Sequence, residues 1–136
     1  MKQKKHLAFW FTILSGITLL FIGLNFIFNP LGAEAGYGIK TTTSDFSFHY
    51  IKGFRDLFSG IIITLLLLKK EYKSLGYVLL IGTIIPAADF CIVLSNPNFT
   101  TGHLYAHAIA IIICIVCGIF YLKNCKRLSA KNHSNS

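Results

Sequence analysis

Asn25, Arg55, Asp56, Asp89 and His107 all lie in or beside apolar runs, where a polar side chain must justify its place. An Asp near a His supplies general acid and base chemistry, a carboxylate and an imidazole trading one proton. Arg55 adds a planar fork of donors suited to an anionic or carbonyl group. Isomerisation or cyclisation of a lipophilic substrate asks for little more than such proton shuttling. Neither a nucleophile motif nor a Gly-rich phosphate loop is visible. Arg55, Asp56, Asp89 and His107 are therefore the catalytic candidates, with Asn25, Gly60 and His103 as candidate ligand contacts. No cofactor is called for.

A metal site is the sharper alternative. His103 and His107, four apart on a helix, face one way, and Asp56, Asp89 and His49 can complete a shell. The pair alone is a weak signal, so no metal is assigned. Cys114 and Cys117 sit deep in an apolar segment, where small-residue packing explains them better than redox chemistry.

The elements that position these groups are membrane spans. Of 136 residues, 54% are hydrophobic and 13% are charged, about half the charged share of a soluble domain. A spanning helix needs about 20 largely apolar residues, and four segments qualify: 7–28, 48–68, 75–94 and 103–122. Residues 1–122 then form one domain, and 123–136 a basic polar tail expected to be disordered. The apolar run from Leu7 is longer than a secretory signal core, so the start is expected to remain uncleaved despite Ala33-Glu34-Ala35.

Thirteen Lys and Arg face five Asp and Glu, giving a net charge of +8. The bases cluster beside the spans rather than forming the aromatic-interleaved stripe of a nucleic-acid binder. Lys2, Lys4 and Lys5, then Lys69, Lys70 and Lys73, then Lys123, Lys126, Arg127 and Lys131 all fall on one face, against Lys40 alone on the other. Positive residues mark the cytoplasmic side, so both termini are expected there. The fold expected is all-α: a four-helix transmembrane bundle with a short interfacial helix after span one. Asn29 can cap that helix with Pro30 at its first position, and Gly36 and Gly38 can end it. Ser44 or Asp45 can cap span two. Asn98-Phe99-Thr100 is a glycosylation sequon that matters only in a eukaryotic secretory route.

Span two explains why the charges are inside. Its uncharged part, Leu57–Leu68, covers about 18 Å at 1.5 Å per residue, short of a hydrocarbon layer roughly 30 Å thick. Arg55 and Asp56 must enter, and in span three so must Asp89. Counted in helical turns, these three, Asn25 and His107 reach a similar level in the outer leaflet. Each unpaired charge would cost about 2.5–3.5 kcal/mol at mid-helix. Arg55 is expected to pair with one carboxylate. The other needs a proton, a hydrogen-bond partner or His107, and an Asp and His107 should titrate together. Lys52, nearer the surface, is expected to snorkel out.

The runs "FNPLGAEAGYGI" and "YIKGFRDLFSG", then "IPAADF" and the downstream His107, resemble the domain of unknown function 4267 family. The resemblance covers about Gly16 to Leu122 and implies a small integral membrane protein of four helices, with no established reaction. In that family a glycine often follows the histidine; Ala108 stands here. The function expected is an outward-side polar pocket binding, or acting by acid–base chemistry on, a lipophilic small molecule. The alternative is a non-catalytic structural or accessory subunit whose ion pairs hold the helices together. A transporter is the weakest reading, because the inner half of the spans has no ionisable residue. The expected partners are the lipid bilayer and a lipophilic small molecule, with no nucleic acid and with homo-oligomers allowed. The location is a multi-pass membrane, the cytoplasmic membrane if the source is bacterial.

Overall fold

The computed structural model describes residues 2–39, 45–97, 99 and 101–133, and among these the secondary structure is entirely helical. The helices are α1 (Lys2–Phe28), α2 (Pro30–Tyr37), α3 (Ser47–Leu68), α4 (Tyr72–Gly82), α5 (Ile84–Leu94) and α6 (Thr101–His133). Ser44, Lys40 and the Asn98 and Thr100 positions of the sequon lie outside the described residues. Among the described residues, three segments are long and apolar enough to cross a membrane: Lys5–Phe28, Tyr72–Leu94 and Thr101–Lys126. No more than 22% of the residues in their apolar windows are buried within the protein. Trp10, Phe21, Phe58, Ile81 and Ile112 are among the large apolar side chains left facing outward. Such a belt needs lipid around it, and the chain is accordingly a multi-pass membrane protein.

Helix α3 has the reverse of a water-soluble amphipathic pattern. His49, Lys52, Gly53, Asp56, Gly60, Ile63 and Leu67 are buried, whereas Phe54, Phe58, Ile61, Leu65 and Leu68 are exposed. Both sets recur at helical spacing. The charged face therefore turns into the protein and the greasy face outward. Asp45 accepts hydrogen bonds from the Ser47 amide (2.9 Å) and hydroxyl (2.6 Å) at the start of this helix. Those bonds, the hydroxyl first, hold its carboxyl below the usual carboxylate range.

Helix α1 lies along α3, and α4 and α5 lie along α6. The α1–α3 seam is a contact of backbones. A Cβ on Gly23 would stand 2.7 Å from the Gly53 carbonyl oxygen, and one on Gly60 would stand 2.8 Å from that of Gly16. Seven residues separate the glycines on each helix, so the antiparallel pair meets twice on one face. The candidate ligand contact Gly60 is thus filled by α1 and offers no surface to a ligand.

Two boundaries and one helix cap differ from those expected. Span three is two helices, α4 and α5, meeting at Thr83. Pro86 has no N–H and crowds the carbonyl four residues earlier, while the Thr83 hydroxyl bonds the Leu79 carbonyl at 3.0 Å. The described part of the tail is helical rather than disordered: α6 continues past Leu122 to His133 and buries Leu128 against the core. Helix α2 begins at Pro30 as expected, but the Asn29 side chain makes no capping bond. Gly38, at φ 96°, ends α2 with its amide on the Glu34 carbonyl.

The core has two parts. At the end carrying the α3–α4 turn, Ala8, Leu67, Tyr72, Leu75, Leu79, Cys117, Tyr121 and Leu128 pack together. At the opposite end, Phe26, Ala33, Tyr37 and Val93 form a smaller cluster. The charged groups gather beside this second cluster, here termed the α2 end.

Candidate functional site

The site is built on two turns of α3. Lys52 and Asp56, four residues apart, share one face, and Arg55 stands beside Asp56. Lys52 Nζ donates to Asp56 Oδ2 at 2.8 Å and to Asp89 Oδ2 at 3.1 Å. Arg55 Nε donates to Asp56 Oδ1 at 3.1 Å, and Arg55 Nη2 reaches Asp89 Oδ1 and Oδ2 at 3.1 and 2.9 Å. Each cation bridges both carboxylates, so two positive and two negative groups close a neutral ring between α3 and α5. Bidentate contacts of this kind are among the stronger charge-assisted bonds.

Lys52 is the principal correction to the sequence reading. It does not snorkel: only 4% of it is exposed. Its Nζ lies 5.1 Å from the centre of the Phe26 ring and 4.5 Å from that of Tyr37, close enough for cation–π attraction. Lysine thus fills the role held open for His107, that of partner to the second carboxylate. A one-turn shift along α3 separates the surface from the core, and turn counting did not resolve it. The available signal was spacing, because Lys52 and Asp56 at i, i+4 point the same way.

A second buried pair joins α2 to α3. His49 Nε2 lies 2.9 Å from Glu34 Oε2, with side-chain exposures of 0% and 5%. Glu34 was read only as part of a cleavage-site pattern. The burial of Ala33, Glu34 and Tyr37 on one side of α2 shows that this short helix is docked through polar contacts and an aromatic ring.

Tyr37 connects the parts. Lys52 lies over its ring, and the His107 ring meets it edge-on with centroids 5.2 Å apart. Its hydroxyl is buried and faces Asp89 without completing a hydrogen bond. Burial, and after it the Asp89 carboxylate, push this phenol above its ordinary range, so it stands as a neutral donor. The His49 Nδ1 atom is likewise buried with no hydrogen-bond partner among the described residues.

The remaining candidates divide. Arg55, Asp56 and Asp89 meet as expected, and His107 reaches their neighbourhood through Tyr37. Asn25 takes no part in the ion-pair ring; the α1 side chain set against it is Phe26. The buried face of α1 is instead Ala8, Thr12, Gly16, Gly23 and Phe26, about one position round from Asn25. His103 packs on Gly38, whose Cβ, if present, would meet the imidazole. His103 and His107 do share a face, but that face is turned to the end of α2. Among the described residues, no three His, Cys, Asp or Glu side chains are placed to hold a metal ion. A shallow cleft of about 340 Å³ lies between α5 and α6, lined by Phe90, Thr101, Leu104, Tyr105 and Ala108. It neighbours Asp89 and His107 in sequence but is lined by neither.

A family model described as a domain of unknown function (DUF4267) matches residues 16–121. The chain belongs to the DUF4267 family. The matched segment spans all of the ion-pair ring, the Glu34–His49 pair, Tyr37 and His107, so the DUF4267 region contains the complete site. No curated protein and no solved structure matches the chain.

Proposed function

We propose that this DUF4267 protein crosses the membrane four times, with α3 as one of the spans and both termini on the cytoplasmic side. Its polar cluster in the outer half would bind a lipophilic small molecule and act on it by acid–base chemistry. The fourfold reading rests on the inward charges and outward apolar face of α3, whose 22 residues give about 33 Å of helix. Ala8, Tyr72 and Leu128 share one core, which favours placing the start of α1, the α3–α4 turn and the late part of α6 on one side. The basic clusters then supply the orientation.

The single observation that carries the binding reading is the Tyr37 hydroxyl. A buried donor without a partner is disfavoured unless something else meets it, and this one faces a carboxylate beside an imidazole. Asp89 is within its reach but poorly aligned, and a carbonyl or hydroxyl group of a ligand would be the better-placed acceptor. In this arrangement Tyr37 donates to the ligand oxygen and His107 accepts or returns a proton. Arg55, whose side chain is 32% exposed, holds the polar end from the accessible side. Lys52, Asp56 and Asp89, already paired, fix the geometry.

The structural reading keeps one observation in its favour: the ion-pair ring satisfies itself completely. The two are separated by variants that spare the ring. Tyr37→Phe and His107→Gln should fold and melt within a few degrees of the parent. If the site binds a ligand, small molecules extracted from protein purified in mild detergent should include a species present with the parent and lost from both variants. Identical extracts from all three would remove the binding reading and leave the structural one.

A further inference from the structure

The α3–α4 turn contains a residue that its backbone does not favour. The amide of Glu71 bonds the Leu66 carbonyl at 2.9 Å, and that of Lys70 bonds the Leu67 carbonyl at 3.1 Å. These two bonds define a helix stop whose left-handed residue is ordinarily glycine or asparagine. Here it is Lys70, at φ 60°, the one described non-glycine residue with positive φ. A side chain in that conformation is disfavoured by about 1–2 kcal/mol. Orientation in the membrane does not require this position, because Lys69 and Lys73 flank it and would supply the same signal.

The surroundings indicate what the lysine meets. Tyr72 stacks on Tyr121 with centroids 5.7 Å apart and planes 6° from parallel, which sets the start of α4 beside α6. Lys69, Lys70 and Lys73 are exposed at this turn, with Glu71 the acidic side chain among them, and Lys123 and Lys126 are exposed on α6 just beyond Tyr121. Directly beside these lysines the outward surface is apolar, with Leu68 62% and Tyr77 50% exposed. Positive charge at the rim of an apolar belt is where the phosphate of a membrane lipid lies.

We infer that Lys70, with its neighbouring lysines, forms a binding surface for the phosphate of anionic phospholipid headgroups, and that the strained turn is retained to aim it. The inference rests on the membrane reading but not on the ligand proposed for the opposite end. Its partner is a lipid rather than free phosphate, because acyl chains would lie on the exposed apolar side chains next to the lysines.

The test is native mass spectrometry of the full chain in detergent, with dioleoyl phosphatidylglycerol, dioleoyl phosphatidylcholine or inorganic phosphate added, alongside melting curves. The parent should retain phosphatidylglycerol in preference to phosphatidylcholine. Inorganic phosphate at equal concentration should not displace it. Lys70→Gly should weaken phosphatidylglycerol binding about fivefold, the effect of one lysine near an anionic surface, yet raise the melting temperature by a few degrees. Lys70→Gln should weaken binding equally without the gain in stability. Equal retention of the two lipids, displacement by phosphate, or undiminished binding in both variants would overturn the inference. A chain that stays dispersed without detergent would instead overturn the membrane reading beneath it.

Discussion

At the α2 end, four charged side chains satisfy one another inside a membrane protein, while at the turn end a mostly apolar core leaves the hydroxyls of Thr12, Thr64 and Tyr121 buried without partners. At the α2 end, too, what is left over is neutral, the Tyr37 hydroxyl and His49 Nδ1, so it is the charges that are completely paired. The difference follows from magnitude. An unpaired charge in the membrane costs several kcal/mol, so a sequence carrying one must carry its partners. An unpaired hydroxyl costs about 1–3 kcal/mol, which surrounding packing can offset. Completeness of pairing therefore follows the penalty group by group, charges before neutral atoms, whichever end they occupy.

The largest effect should come from breaking the ring. Lys52→Met leaves Asp56 and Asp89 sharing Arg55, and loss of one partner from a buried pair costs about 3–5 kcal/mol. A correspondingly large drop in melting temperature is expected in detergent. Replacing Lys52 and Arg55 with Met and Asp56 and Asp89 with Leu together should restore most of that stability, since no charge is then left behind. If the fourfold variant melts well below Lys52→Met, the ring is itself a source of stability, and the contrast between the two ends loses its basis.

How much of this was legible in the sequence follows the same divide. Three membrane-capable segments, the α3 boundaries and the meeting of Arg55, Asp56 and Asp89 could be read, the first from apolar length and the rest because charge in an apolar run forces its own location. Lys52 could not be placed, since a long side chain one turn from the surface can lie in either environment. Glu34 was hidden by its setting: a lone acid between alanines in a connecting segment shows no periodicity, and α2 is too short to give any. On α1 the polar residue Asn25 suggested the wrong face. In lipid the inward face is marked by small residues at helical spacing, here Ala8, Thr12, Gly16 and Gly23. The length of α6 was missed because polar composition alone does not indicate that Leu128 has a core to join.

A smaller effect separates the two helix seams. At the α2 end the Gly23–Gly53 crossing sets backbone against backbone, and a Cβ on Gly23 would also stand 2.7 Å from the Leu57 amide nitrogen. Helices cannot yield locally there, so Gly23→Ala should cost about 1–3 kcal/mol and loosen the hold of α1 on the charged face of α3. At the turn end, a Cβ on Gly118 would meet the Leu80 side chain at 2.8 Å, with the nearest backbone atom at 3.2 Å. That side chain can rotate aside, and Gly118→Ala should cost less than about 1 kcal/mol. Equal melting shifts for the two variants would show that the seams do not differ in stiffness.

The smallest effect has an informative sign. The Thr12 hydroxyl faces both the Cys117 thiol and the Tyr121 hydroxyl, yet the hydroxyls of Thr12 and Tyr121 lack hydrogen-bond partners. If they are truly unpaired, Thr12→Val and Tyr121→Phe each remove a buried polar atom at almost constant shape. Each should then raise the melting temperature slightly, by the equivalent of about 1 kcal/mol. If a water molecule bridges them, either single change strands the bridge and lowers stability, and the double variant recovers part of the loss. Two small gains that add would extend the rule that only the charges are under strict pairing. Two losses that fail to add would show that these neutral hydroxyls are paired as strictly as the charges of the ring, through a water rather than an ion.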